Sequence, residues 1–243
     1  ELTDIDVIAD FRSRDMAAGG EGAPLVPAFH ACVFSATTPR AIVNIGGIAN
    51  ITLLNGKDVL GFDCGPGNTL MDIWVQKHCG LFFDENGRWA MKGKVIPELL
   101  DALLTDPYFS RKPPKSTGRE YFNENWLIER YPLLSDLAPQ DVQRTLARLT
   151  AKGILDAIDK TQPQTAELFV CGGGALNPLL IEELQNGRYR VSSTARLGVD
   201  PMHVESMAFA WLAYRFVNKK AGNLPAVTRA RGERILGALY PAH

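Results

Sequence analysis

The chain has 243 residues, and its 26 lysines and arginines nearly balance its 27 aspartates and glutamates, so the formal net charge is −1. This balance excludes a strongly basic nucleic-acid binder and a polybasic protein of membrane surfaces. With 46% hydrophobic and 22% charged residues, the composition is that of a globular protein. The longest fully apolar run, 207–214, is far shorter than the roughly 20 residues that span a bilayer. We expect neither a nucleic-acid nor a membrane partner.

The compartment is predicted from the cysteines and from the first residues. Four cysteines without CxxC spacing are too few for a disulfide scaffold in a chain of this size. The first residues have neither the basic nor the apolar region of a signal peptide. We therefore expect a cytoplasmic protein.

Three β-rich runs follow one another early in the chain and are separated by two short turns. The turns are Gly46-Gly47 and Asn55-Gly56, and the second is a strong signal for a type I′ hairpin. The pattern predicts an antiparallel meander of three strands, at 41–45, 50–54 and 59–63.

Helical and strand patterns alternate in the rest of the chain. Asn68 is the natural N-cap of a helix that ends at Gly80. Apolar residues with a period of 3.6 predict a helix of about five turns from residue 139. The remaining predicted elements are a buried strand at 168–171, a helix that begins at Pro178, a strand at 189–193 and a helix from Val204. This order predicts an α/β fold with a mixed sheet, in which the meander is joined to parallel strands crossed by helices.

The turn at 44–50, Asn-Ile-Gly-Gly-Ile-Ala-Asn, is the first candidate for a ligand site. Adjacent glycines such as Gly46 and Gly47 let backbone N–H groups approach a phosphate closely and form a concavity that binds anions. The alternative is a plain hairpin turn, which glycine also favours.

Asp63 is the second candidate, because Gly65-Pro66-Gly67 follows it and is expected to break the strand there. The carboxylate would then lie at the carboxyl edge of the sheet, where open α/β folds bind their ligands. Such a group can accept a proton from water or a hydroxyl as a general base. The alternative is an aspartate that forms a turn or caps a helix.

The third candidate is the run of Gly172, Gly173 and Gly174 between a strand and a helix. It has no side-chain bulk, so a flat or phosphorylated ligand can lie against the main chain beside a helix N-terminus. It is neither GxGxxG nor the P-loop GxxxxGK[ST]. Glu205 is the fourth candidate, although the helix dipole favours a carboxylate there by about 0.3–1 kcal/mol without any ligand.

Metal and covalent chemistry have little support in the sequence. The four histidines show neither HxxxH nor HExxH spacing, so no metal site is predicted. No Gly-x-Ser-x-Gly elbow is present. Cys64 and Cys171 have no neighbouring histidine to activate them, and we interpret both as small buried residues.

The order of these features resembles the second lobe of the sugar kinase, Hsp70 and actin superfamily. A closer resemblance, over almost the whole chain, is to the anhydro-N-acetylmuramic acid kinase family. The motifs that carry it are Asp-Phe-Arg at 10–12, Gly-Ala-Pro-Leu-Val-Pro-Ala-Phe-His at 22–30, the turn at 44–50, Gly-Phe-Asp-Cys-Gly-Pro-Gly-Asn at 61–68, Ser-Thr-Gly-Arg-Glu at 116–120 and Cys-Gly-Gly-Gly-Ala-Leu-Asn at 171–177.

The resemblance implies an actin-like ATPase (ribonuclease H-like) fold and a reaction in cell-wall recycling. An enzyme of this kind uses ATP and Mg²⁺, opens the 1,6-anhydro ring of anhydro-N-acetylmuramic acid with water, and phosphorylates O6 to give N-acetylmuramic acid 6-phosphate. Positioning and charge neutralisation carry most of phosphoryl transfer. The implied partners are the sugar and ATP, with a homodimer left open.

The resemblance also implies roles for particular residues. Asp63 would deprotonate the water that attacks the anomeric carbon. The candidates for binding nucleotide and phosphate are Gly46, Gly47, Gly172, Gly173, Gly174 and Asn177. The candidates for binding the substrate are Glu205, Asn68, Gly65 and Arg12.

The family also has a first phosphate loop, in a first lobe, that nothing before Asp10 matches. We therefore expect residues 1–40 to be the remnant of a first lobe and 41–243 to be the second lobe, with a helical and loop insert at about 81–140. We expect these 243 residues by themselves to be inactive. The alternatives are another sugar or acetyl-type kinase of the superfamily, or an ATP-binding lobe without catalysis.

Overall fold

The computed structural model describes residues 4–243. Its strands are β1 (Val7–Ala9), β2 (Arg40–Ile45), β3 (Ile48–Asn55), β4 (Asp58–Pro66), β5 (Glu167–Cys171), β6 (Arg190–Ser193) and β7 (Ala238–Tyr240). Its α-helices are α1 (Ser13–Ala17), α2 (Val26–Phe34), α3 (Thr69–Cys79), α4 (Pro97–Leu104), α5 (Pro107–Ser110), α6 (Glu124–Arg130), α7 (Pro139–Thr161), α8 (Pro178–Gln185), α9 (Val204–Val217) and α10 (Pro225–Thr228).

A five-stranded mixed sheet in the order β4-β3-β2-β5-β6 forms the centre of the fold. β2, β3 and β4 are the predicted antiparallel meander. β5 runs parallel to β2, and β6 runs parallel to β5. The long helix α7 leads into β5, as expected when parallel strands need a crossover. The α/β class and the mixed sheet are therefore confirmed.

Apolar side chains pack on both faces of this sheet. One face carries the larger core, in which Val43 and Ile51 pack with apolar residues of α3, α4, α7 and α8. The other face carries a smaller core, in which Ile42 and Phe169 pack with residues of α2 and α9. The successive residues Ile42 and Val43 thus face opposite sides, as the two-residue period of a strand requires.

The helix boundaries follow local sequence signals. Pro139 and Pro178 occupy the first turns of α7 and α8, where a missing N–H is tolerated. Asn177 caps α8 by accepting hydrogen bonds from two backbone N–H groups. α3 ends at Gly80, which has the left-handed conformation that glycine adopts readily.

Two expectations about the elements were wrong in detail. β4 does not end at Asp63 but continues to Pro66, with an irregular register opposite Ala49 and Asn50. Proline is tolerated there because β4 is an edge strand and needs no ladder donor on its outer side. Asn68 stands at the N-cap position of α3, but its side chain does not cap the helix.

A second, two-stranded sheet joins both ends of the described chain. β1 pairs antiparallel with β7, a strand that the sequence patterns did not predict. Beside it, Ile8 of β1 packs against a small apolar cluster of Phe11, Leu25, Leu212 and Leu236. No helix in residues 4–243 combines the length and the apolar character needed to cross a membrane.

Candidate functional site

A row of four residues crosses the central sheet near its glycine turns. Asp63 on β4 is paired with Asn50 on β3, Asn50 with Asn44 on β2, and Asn44 with Cys171 on β5. Residues paired in register share one face of a sheet. Asp63, Asn50 and Asn44 line one cleft of about 290 Å³.

The cleft also brings together several residues that were predicted from separate motifs. Gly46, Gly172, Gly173 and Glu205 line it together with Asp63. The two glycine turns, which follow β2 and β5, therefore line the same cleft as the carboxylate on β4.

Asp63 is held by the loop that precedes α6. Its Oδ2 accepts hydrogen bonds from Ser116 Oγ and from the Thr117 N–H, both at 3.0 Å. Among the described residues, none donates to Oδ1, so this oxygen is available to a ligand in the cleft. Burial raises the pKa of Asp63, while the two hydrogen bonds and the charge of Lys115 act to lower it.

His30 also lines the cleft, although it was not among the predicted site residues. Its side chain is buried, and its Nδ1 lies 2.8 Å from Thr52 Oγ1. Within residues 4–243, its Nε2 has no hydrogen-bond partner. Burial lowers the pKa of His30 to about 3, so the imidazole is neutral at physiological pH. The only sequence signal for His30 is its place at the end of the motif at 22–30.

The late glycine turn is shaped by close packing at two of its three glycines. Gly172 has φ +76°, and a Cβ there would lie 2.2 Å from Asn44 Oδ1. A Cβ on Gly174 would lie 2.4 Å from Cγ2 of Ile45, so this glycine packs against β2. Gly173 has more room, since its nearest neighbour would be Asn68 Nδ2 at 3.9 Å. Gly173 is therefore the member of the turn that is most open to a ligand.

A second pocket, of about 520 Å³, adjoins the cleft at Gly173. Asn68, Asp72, Phe83 and Asn177 also line it. Asn68, predicted as a sugar contact, thus lies with the nucleotide candidates, and its Nδ2 donates to the Ile45 carbonyl at 3.3 Å. Burial raises the pKa of Asp72 to about 6, against the opposing effect of the Arg119 charge.

A third pocket, of about 750 Å³, lies on the other side of Glu205 and is lined by Arg12. Glu205 is exposed and lies between this pocket and the cleft of Asp63. Arg12 donates from Nε to the carbonyl of Gly22 at 3.1 Å. Glu205 and Arg12, predicted from motifs about 190 residues apart, therefore share one cavity.

Three of the predicted glycines, Gly47, Gly65 and Gly174, lie outside the residues that line these three cavities. Gly65 is buried, and a Cβ there would lie 2.8 Å from Cε1 of Phe109. Gly47 is covered by the side chain of Arg119. Position 65, with φ +151°, requires a glycine, whereas a side chain at position 47 would have to displace the end of the Arg119 side chain.

The thiol of Cys171 has no nucleophilic character. Burial, with the charge of Glu205, raises its pKa to about 12. In the part of the chain that the structure describes, no group of three or more His, Cys, Asp or Glu side chains could hold a metal ion.

Comparison with known proteins relates this arrangement to one family. The sequence model of the family described as "Anhydro-N-acetylmuramic acid kinase" matches residues 1–242. Over 99% of its length, the chain is 54% identical to the anhydro-N-acetylmuramic acid kinase of Burkholderia orbicola (strain MC0-3) and 53% identical to that of Pseudomonas fluorescens (strain Pf0-1). It spans 65% of the first relative's length and 68% of the second's.

The fold also resembles a solved structure of a different protein. The activator of the 2-hydroxyisocaproyl-CoA dehydratase from Clostridium difficile, with bound ADPNP, matches 80% of this chain and 66% of its own, with a TM-score of 0.50. At 13% sequence identity, this likeness concerns the fold alone. It agrees with the expected actin-like ATPase architecture.

Proposed function

Because the chain belongs to the anhydro-N-acetylmuramic acid kinase family, we propose that it serves the ATP-dependent, hydrolytic phosphorylation of anhydro-N-acetylmuramic acid. The product is N-acetylmuramic acid 6-phosphate, formed in the recycling of cell-wall sugars. The observation that carries the proposal is Asp63, whose Oδ2 is held by Ser116 and Thr117 while Oδ1 remains available in the cleft.

Asp63 is the proposed general base. Its Oδ1 takes a proton from water, and the water oxygen forms a bond to the anomeric carbon of the sugar. The bond from that carbon to O6 breaks, O6 attacks the γ-phosphorus of ATP, and ADP leaves. Burial of Asp63 favours this role, since a base with a raised pKa accepts a proton more readily than an exposed carboxylate.

The two glycine turns are the proposed site of the phosphates. Gly46 and Gly47 lie between β2 and β3, and Gly172 and Gly173 follow the neighbouring strand β5; Gly46, Gly172 and Gly173 line the cleft. The adjoining pocket with Asn68, Phe83 and Asn177 is the proposed site of the nucleoside. Gly173, which lines both cavities, connects the two sites.

The proposal includes Mg²⁺ because side chains with oxygen atoms that can coordinate it line the cleft. Asn44 and Asn50, whose side chains carry amide oxygens, line the cavity that Gly46 also lines. Mg²⁺ takes oxygen ligands and is bound largely by substrate phosphates and water, so Asn44 and Asn50 fit it as additional oxygen donors. When bound, the ion would neutralise charge on the transferred phosphate.

The sugar is proposed to lie between Asp63 and Arg12. Glu205 lines both cavities at this point, and its carboxylate can accept hydrogen bonds from sugar hydroxyls. Arg12 can pair with the carboxylate of the sugar's lactyl group. Asn68 and Gly65 lie away from this position, and we assign them to the nucleotide side and to packing, respectively.

We also propose the division into residues 1–40 and 41–243, with an insert at about 81–140. Its support is that β1 belongs to a sheet separate from the central one. The insert contains α4, α5 and α6 and no strand. A cytoplasmic location and a homodimer stay predictions.

The experiment is a turnover assay on the full-length protein. ADP release is measured with anhydro-N-acetylmuramic acid, N-acetylmuramic acid and glucose, and the sugar product is identified by mass. Release that depends on the anhydro sugar, with one oxygen of the product labelled from ¹⁸O-water, supports the proposal. Faster release with another sugar would favour a different kinase, and ATP binding without turnover would favour a binding lobe.

A further inference from the structure

Arg119 lies directly over the glycine turn between β2 and β3. A Cβ on Gly47 would lie 2.7 Å from both Nε and Nη2 of the guanidinium and 3.1 Å from Cζ. Any side chain at position 47 would therefore displace the guanidinium. The glycine makes room for an arginine beside the proposed phosphate site.

We propose that Arg119 binds a phosphate group of the nucleotide at the Gly46-Gly47 turn. The inference deepens the proposed function and rests on it. It adds a charged side chain to a site that was otherwise assigned to main-chain N–H groups. A guanidinium offers two parallel N–H donors that match two phosphate oxygens, and its charge strengthens both hydrogen bonds.

The charge of Arg119 is free to meet an anion. The side chain is exposed, and among residues 4–243 it takes part in none of the ion pairs. The charge of Arg119 acts to lower the pKa of Asp72. Burial of Asp72 has the larger effect and raises this pKa to about 6. An arginine packed on a turn, with no acidic partner in contact, is suited to an anionic ligand.

Arg119 also lies beside the path that the phosphates of ATP are proposed to take. Arg119 touches the turn whose Gly46 lines the cleft of Asp63. It is also close enough to Asp72, in the proposed nucleoside pocket, to influence the titration of that residue. The phosphates of ATP must pass between these two cavities, because they connect the nucleoside to the reacting oxygen of the sugar.

Isothermal titration calorimetry on the full-length protein tests the inference with ATP and with adenosine. Replacing Arg119 by glutamine removes the charge at little cost in volume, so ATP should bind about 10- to 100-fold more weakly. Adenosine, which has no phosphate, should bind as it does to the wild type. Arg119→Lys keeps the positive charge but lacks the planar guanidinium, so it should lose less ATP affinity than Arg119→Gln.

Arg190→Gln is the matched control. Arg190 is an exposed arginine at the first residue of β6, away from the glycine turns, which follow the carboxyl ends of β2 and β5. This variant should bind ATP and adenosine like the wild type. Melting temperatures of all variants show whether each protein is folded, and if R119Q does not fold, R119K carries the same comparison of the two ligands.

Three results would overturn the inference. Unchanged ATP affinity in a folded R119Q variant would show that no phosphate contacts the guanidinium. An equal loss for ATP and adenosine would show that Arg119 supports the pocket instead. A wild-type protein that binds no ATP at all would refute the proposed function itself, and the inference with it.

Discussion

The buried carboxylate of Asp15 accepts a hydrogen bond of 2.8 Å from the N–H of Gly22. The carbonyl of the same glycine accepts the hydrogen bond from Arg12 Nε. One glycine thus links a buried anion to a proposed sugar-binding arginine. Asn223 Nδ2 and Thr228 Oγ1 also donate to Asp15, both at 2.7 Å, and connect this loop to the C-terminal segment.

Replacing Asp15 by alanine should destabilise the protein by about 2–4 kcal/mol, because three buried donors lose their acceptor. The free energy of unfolding, measured in urea, checks this. Asp101→Ala, on the exposed surface of α4, is the control and should stay within about 0.5 kcal/mol of the wild type. A loss below about 1 kcal/mol for Asp15→Ala would show that water replaces the carboxylate.

Asp63→Asn should reduce kcat by at least about 100-fold, since an amide cannot accept the proton from water. The dissociation constant of the anhydro sugar should change little, because asparagine retains the shape of the side chain. Single-turnover kinetics and calorimetry on the full-length protein measure the two quantities. Asp58→Asn, exposed at the start of the same strand, is the control. If the Asp63→Asn variant kept a substantial rate, Asp63 would not be the general base.

Ser116→Ala should move the acid limb of the pH profile of kcat/KM to higher pH. The hydroxyl of Ser116 stabilises the charged form of Asp63 and lowers its pKa, so its loss raises that pKa further. A base must be deprotonated to act, and activity is therefore lost at a higher pH as the solution is acidified. Ser110→Ala, whose hydroxyl donates to the Pro107 carbonyl, should leave the limb in place. A limb that moves to lower pH would contradict the assignment to Asp63.

Gly172→Ala and Gly173→Ala should separate packing from ligand contact. Alanine at 172 is strained at φ +76° and meets Asn44 Oδ1, so the protein should lose about 1–3 kcal/mol of stability. Alanine at 173 has room in the free protein and should preserve the melting temperature while weakening ATP binding. Thermal melts and calorimetry compare the two variants. Wild-type ATP affinity in Gly173→Ala would place the nucleotide elsewhere.

The parts of the fold that were predicted correctly depend on signals between near neighbours. Asn55-Gly56 specifies a hairpin by its own turn geometry, and Pro178 begins a helix by its fixed φ. The extension of β4 past Asp63 was missed because it depends on β4 being an edge strand, which only the strand order reveals. The pairing of β1 with β7 joins residues from opposite ends of the chain and has no local signal.

The candidate site was only partly predicted from the sequence, because local signals identify single residues and not their distant partners. Asp63 and the glycines stand beside recognisable turns, but their partners come from distant segments. Ser116 is 53 residues from Asp63, and Thr52 is 22 residues from His30. Sequence spacing predicts neither the neutral state of His30 nor the position of the Arg119 side chain over Gly47. Both arise from tertiary packing.

The cross-strand row also limits where the chain can gain or lose residues. Along β3, Asn50 faces the cleft, while Ile51 packs in the larger core on the opposite face. One residue inserted into the first half of β3 would exchange these faces, placing a polar amide in the core and an apolar side chain beside Asp63. Such an insertion would impair folding and ligand binding together, so differences in chain length between relatives should be confined to the connections outside these strands.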